Sequence, residues 1–444
     1  MVINQDMEAV NAIVREFHRF EKSLNGESAS ATHEHRQRAI SHFAQTGFPT
    51  TRNEEWRFTN VQPIAKTRFC VPLDAAAPAI TEQEIQPYVL ENSIRLTFVN
   101  GLHVPALSCV SGLPSGVIVR NLREVLVQKE TADERRVGAL VDFQENGFTA
   151  LNTAFVRDGA WIEIPDGVTL DRPIHLLYIA HKADGMLLTP RNIVVGGPNS
   201  RLAIVESFVA LNNDAYLTNA VTEIFVDDGA TVEHDKMQKE SPKAFHVSTT
   251  HIRQRQRTTL VSNVINLGGV LVRNSTTCTL TAEHSEATLN GLSLGTSNQL
   301  IDNHTTIDHA KPNCISHEMY KSILDGNSRG VFNGKIFVRK DAQKTDAKQT
   351  NKTLLLSDNA TIDTKPQLEI FADDVKCTHG ATVGQLDDEQ VFYLRSRGIG
   401  NAEARDILTF AFARDVVDRV HVDELRNQIE SLVHSKLHHG RLVS

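Results

Sequence analysis

From about residue 90 to residue 375 the chain carries almost no helical periodicity. Short segments rich in Val, Ile, Thr and Leu alternate with Gly, Asn and Asp turns, as in "SRLAIVESFVALNN", "GATVEHDKMQ" and "SEATLNGLSLGTSNQ". A simple sandwich or barrel is complete well before such a length. The segments also recur: a small or turn residue followed by alternating apolar positions is centred on Leu202, Val232, Leu260, Leu289, Phe332 and Ile362, at intervals of 30, 28, 29, 43 and 30 residues. A near-constant step, with one longer interval for an inserted turn or a skipped coil, is what stacked coils produce. The chain is therefore expected to be mainly β, a parallel β-helix whose inward apolar residues stack from coil to coil while outward positions stay polar. The two ends of such a stack leave strand edges unpaired, so helical segments are expected to cap them.

Helical patterns do flank the β region. In "MEAVNAIVREFHRFEKSL", Val10, Ile13, Val14, Phe17 and Phe20 form one apolar stripe, and a second helix, "HEHRQRAISHFAQTG", stops near Gly47 and Pro49. Its histidines, His33, His35 and His42, are expected to face solvent, since no Cys or carboxylate set joins them as metal ligands. "PLDAAAPAITEQE" has the Ala and Pro content of a linker. After "GATVGQL" the helical period returns in "DDEQVFYLRSRG", "NAEARDILTFAFARDVVDRV" and "VDELRNQIESLVHSKLHH". Asp387 and Asp388 suit the start of the first of these helices, Gly398 its end, and Asn401 the N-cap of the second. Ile407, Leu408, Phe410, Ala411 and Phe412 form a wide stripe that needs a partner, either the β region or another protein. The expected division is an N-terminal helical region over 1–75, a linker over 76–90, the β-helix over 91–384 and a C-terminal helical domain over 385–444.

Charge and cysteine usage narrow the function classes. Acidic residues outnumber basic ones, 54 to 46, giving a net charge of -8 and no broad basic field for nucleic acid or an anionic membrane. The five cysteines, Cys70, Cys109, Cys278, Cys314 and Cys377, are odd in number and scattered, unlike a disulfide framework, which fits a reducing compartment. The N-terminal stretch lacks a signal-like apolar run, and no segment approaches the roughly 20 apolar residues of a membrane span, so a cytoplasmic location is expected.

Conventional catalytic motifs are missing. "RGVFNGK" has Arg329 where the first glycine of a Walker A loop belongs, and the chain has no HExxH, CxxC or post-strand GxGxxG. A carbohydrate-active β-helix enzyme would need clustered carboxylates or a basic proton abstractor, for which Glu206, Glu223, Glu233, Asp235 and Glu283 with Arg253, Arg255 and Arg257 are candidates. Each is more simply an outward polar residue of an ordinary coil, and a purely structural solenoid is a further alternative. Gly326, Gly330 and Gly334 read as bulges or tight corners. Within "KCTHGATV", Cys377 and His379 lie two residues apart and so share one face of a strand. Thiolate and imidazole are ligands for zinc and iron–sulfur clusters, but two ligands do not close a site, and on the residues alone a buried thiol beside a hydrogen-bonded core histidine is the simpler account of the pair.

The segment "LEIFADDVKCTHGATVGQLDDEQVFYLRSRGI" closely resembles the signature of the SufD family of the SUF iron–sulfur cluster assembly machinery. "RNEEWRFTNV" at residues 52–61 resembles that family's N-terminal motif, and "GKIFVRKDAQKTDAKQTNKTLLLSDNATIDTKPQLEI" is also similar, so the resemblance spans most of the length. It implies a right-handed parallel β-helix between helical regions, in a non-catalytic scaffold that pairs with a SufB paralogue through the β-helix ends. It further implies a SufC ABC ATPase docked on the C-terminal helices, over Ile407, Leu408, Phe410 and Phe412. His379 would face the SufB interface and help build a transient iron–sulfur cluster there, with Cys377 its neighbour in the half-site and no cofactor held tightly by the isolated chain. SufB-like chains carry a cysteine where this one reads "SDNATIDTK" and acidic residues beside the motif histidine, whereas Thr378 and Gly380 flank His379 here; this favours SufD over SufB. The same exposed strand edges would also allow a homodimer of the isolated protein, and the sequence does not decide between the two pairings.

Overall fold

The computed structural model describes residues 2–24, 31–73, 80–128 and 136–439. Alternating β-branched and turn residues build two facing ten-stranded sheets, with each coil giving one strand to each. One sheet runs from the strand Ile94–Val99 to Lys376–Gly384, the other from Ile118–Asn121 to Thr361–Ile370. Pairing is parallel throughout the stack, a parallel β-solenoid of about 8 turns, and turns antiparallel only where Leu102–His103 and Ile118–Asn121 finish its N-terminal end.

Register explains the repeat. Leu202, Val232, Leu260, Ala287, Ser316, Ala347 and Cys377 lie opposite one another on successive strands, 27 to 31 residues apart. Leu289 sits two residues beyond this column, and Phe332 and Ile362 belong to the facing sheet. The 43-residue interval is therefore neither an insertion nor a skipped coil; it crosses from one sheet to the other. Gly330 and Gly334 are likewise strand positions, and only Gly326, at φ 66°, turns a corner.

The expected alternation of apolar inside and polar outside fails on both faces. The interior joins Ile204, Ile224, Ile252, Leu260, Ile307 and Phe332 to a polar seam in which Glu206 accepts from Thr222 (2.7 Å) and Lys236 donates to Asn274 (2.8 Å). Burial pushes the Lys236 ammonium down to about 8. The outer faces carry apolar rows that need cover. Leu217, Phe245, Val247 and Leu271 meet the helices α1 (Val2–Ser23), α2 (Ala31–Thr46) and α3 (Gly147–Ala154), through Phe17, Phe20, Phe43 and Phe148 among others. Met237, Ile265, Leu292 and Ile323 meet the C-terminal helices through Val416, Val420, Ile429 and Val433. The helices thus pack on the sides of the stack rather than capping its ends, because these outward rows draw the helical stripes onto them. His33, expected to face solvent, is buried with Nε2 3.0 Å from Glu21. In the stretch read as linker, Thr81 caps a short helix and Ile85 is buried against Leu177 and Val209.

Polar contacts fix both layers. Glu223, fully enclosed, accepts from Arg191 (2.7 Å) and from the backbone of Gly138 (2.8 Å), Leu140 (2.7 Å) and Val141 (3.2 Å). The motif at 52–61 docks on the other flank of this sheet: the Arg273 guanidinium lies 3.8 Å over the Trp56 ring, Thr59 donates to Asp302, and Glu55 pairs with His304 at 3.3 Å. The C-terminal end is α4 (Asp388–Ser396), α5 (Asn401–Val417) and α6 (Asp423–His439). Asp387 caps α4 by accepting from Glu389 N, Gly398 follows it at φ 89°, and the N-cap of α5 is Gly400, with Asn401 its first helical residue. Lys321 reaches out of the sheet to Phe412 O (3.0 Å), and Lys436 of α6 reaches back to Leu267 O (2.8 Å) and Leu294 O (2.6 Å).

Candidate partner-binding end of the solenoid

The strands Thr361–Ile370 and Lys376–Gly384 each end a sheet and are hydrogen-bonded along one edge only. Their other edges present unpaired backbone groups, the feature by which one sheet adds to another. Ala347, opposite Cys377, is enclosed with Ile336, Val338, Ala342 and Ala372, and Cys377 packs against that cluster. Cys377 therefore points into the solenoid, and His379, two residues on, shares its face. No coil among the described residues covers that face. His379 is exposed, Cys377 is half-buried, and Ile370 and Val383, which would be core residues in any earlier coil, are 39% and 48% exposed. Partial burial pushes the Cys377 thiol up, so a metal must displace a firmly held proton to bind it. Among the described residues no group of three or more His, Cys, Asp and Glu side chains is placed to hold a metal ion, so this end offers two donors rather than a closed site.

The apolar stripe on α5 is divided. Phe410 stacks on His434 with ring centroids 3.9 Å apart, and the Lys321 ammonium sits 4.3 Å over Phe412, so both rings face the chain itself. Leu408 is half-buried, and Ile407 faces outward. The more exposed aromatics of the C-terminal helices are Phe392 and Tyr393 of α4, 70% and 56% exposed. Their signal was the run "VFYL": four apolar residues in succession cannot share one helix face, and only Val391 is buried.

Of the carboxylates considered for carbohydrate chemistry only Glu233 and Asp235 come together, and burial with the neighbouring Glu233 pushes the Asp235 carboxyl up. Asp235 is buried against Asn263 and Glu233 accepts from His421 N, while Glu206 and Glu223 are interior or enclosed elsewhere and Glu283 neighbours His284. Of the arginines, Arg253 lies over Phe225 and Arg255 pairs with Asp228. A groove of about 470 Å³ beside Trp56, lined by Ser275, Thr277 and Thr306 among others, has Lys335 paired with Glu369 and His304 with Glu55. No helix of the described residues is long and apolar enough to cross a membrane.

Comparison with known proteins bears on this end directly. The model of the SufBD core domain, described as SUF system FeS cluster assembly, matches residues 178–412, and that of the SufBD protein N-terminal region matches residues 7–176. An iron–sulfur cluster assembly SufBD family protein of Synechocystis is 34% identical over 411 residues, covering 90% of this chain and 89% of that protein. The iron–sulfur cluster assembly protein SufD of Escherichia coli is 31% identical over 434 residues, 97% of this chain and 98% of its own, and that of Bacillus subtilis 25% identical over 400 residues, 87% and 89%. The family models meet at the solenoid's first coils and together span the N-terminal helical layer, the coils, α4 and most of α5; the chain belongs to the SufBD family of SUF-system iron–sulfur cluster assembly proteins and is a homologue of SufD over most of its length.

Proposed function

We propose that this chain is the non-catalytic SufD-type scaffold of a SufBCD-type complex, joined end to end with a SufB-like paralogue across its uncovered last coil. The observation that carries this reading is the pair of free strand edges, one of them bearing His379 and Cys377 on an inward face that no described residue closes. A paralogue with its own open coil would continue both sheets, desolvate Ile370 and Val383, and supply the remaining ligands to a nascent iron–sulfur cluster, which is cargo here. An imidazole and a thiol from one side suit such a shared site.

ATP chemistry would come from a SufC-like ABC ATPase docked on the C-terminal helices, with Phe392, Tyr393 and Ile407 as the contact rather than Phe410 and Phe412, which are engaged within the chain. Closure of the ATPase would then pull on α4 and α5 and reach the last coil through the short connection after Gly384. Co-purification of all three subunits tests the docking. The double variant Phe392→Ser, Tyr393→Ser is expected to keep the paralogue and lose the ATPase by about 10-fold or more in affinity, the scale of aromatic anchors. Retention of the ATPase at wild-type strength would refute this surface.

A further inference from the structure

Beneath His379 the interior of the solenoid is polar where alternation calls for apolar residues. The residue opposite His379 on the preceding coil is Gln349, and opposite Gln349 one coil further in is Glu318; they are 2% and 3% exposed. Gln349 Nε2 donates to Glu318 Oε2 at 2.7 Å. With Glu318 ionised, that bond fixes which way the amide points, because a carboxylate only accepts. The other end of the amide, Oε1, is buried with no hydrogen-bond partner. A buried acceptor is costly to leave unpaired, so one held in this manner calls for an explanation. The facing sheet makes room for it: a Cβ on Gly334 would come within 2.3 Å of Gln349 Nε2, so a side chain there would displace the amide.

The residue one rung above is His379, on a neighbouring strand about 4.8 Å away along the sheet, with its side chain on the same face. A histidine that ligates a metal usually donates its other ring N–H to a carbonyl or carboxylate, which selects the tautomer and aims the free nitrogen. We propose that Gln349, held by Glu318 in the space left by Gly334, is a positioning residue: its amide oxygen accepts the inner ring N–H of His379 and turns the other nitrogen outward to the cluster. The proposal rests on the half-site reading of His379 above. Burial pushes the Glu318 carboxyl up to about 7, as a carboxyl enclosed this deeply requires.

The test uses the full chain without partner or cluster. Histidine-selective 15N NMR, with the His379 signals identified by their loss in His379→Ala, reads the neutral tautomer directly. Wild type is expected to show one tautomer at His379. Gln349→Met, which matches the volume but accepts no such bond, and Gln349→Asn, which keeps an interior amide too short to reach, are both expected to show two tautomers in exchange. In the assembled complex the same variants are expected to weaken cluster retention about 10-fold, the usual effect of losing such a partner. A mixed tautomer in wild type, or a single one that survives both substitutions, overturns the proposal. Cluster retention by a His379→Ala complex would instead overturn the half-site reading, whatever the tautomer shows.

Discussion

Val383→Lys is expected to leave the isolated chain folded and to abolish its pairing with the SufB-like partner. Val383 lies on the inward face of the last strand, in register with Thr353 and, further in, Ser322, both buried. In the free chain an ammonium there stays hydrated, because Val383 is 48% exposed. Once a second solenoid stacks on this coil, the same position becomes interior, and an unpaired charge costs several kcal/mol, about 3–5, or more than 100-fold in affinity. Inward-pointing charges at a sheet end are also how natural edges avoid pairing. Sedimentation of the mixed subunits measures the pairing and thermal unfolding of the chain alone measures the fold. Pairing at wild-type affinity would place the interface elsewhere.

Glu223→Ala is expected to cost about 3–5 kcal/mol of stability, read by denaturant unfolding. The carboxylate is enclosed by Arg191 and by three backbone N–H groups of the segment 138–141, so its removal strands a buried guanidinium and three donors together. Replacing both partners, Arg191→Met with Glu223→Leu, is expected to recover part of that loss, because the stranded charge goes with the pair. An effect below about 1 kcal/mol for Glu223→Ala would mean that this pair does not anchor the segment.

Much of the architecture was legible because it follows from short periods. The stripe Val10, Ile13, Phe17 and Phe20 is buried as its helical spacing requires, and the common face of Cys377 and His379 follows from the period of a strand. The coil length of about 30 residues was also readable. What the sequence hid depends on contacts between distant residues. Phe332 and Ile362 look like later members of one column, yet they stack in the facing sheet. Val205, Met237 and Ile265 break the polar-outside rule because helices cover them, and that cover decides that the helices flank the stack and leave its end open. Phe410 was read as partner surface, but its stacking on His434 needs α6 to fold back along α5. The Gln349–Glu318 pair becomes visible only when residues a full coil apart are superposed.

The most direct test of the account is anaerobic reconstitution of iron and sulfide on the co-purified complex with the SufB-like and SufC-like partners, comparing wild type with His379→Ala and Cys377→Ala. The account predicts that the His379→Ala complex assembles at wild-type stoichiometry and fails to hold cluster, and the Cys377→Ala result then shows whether the thiol ligates or packs. Wild-type cluster content in both variants would contradict it.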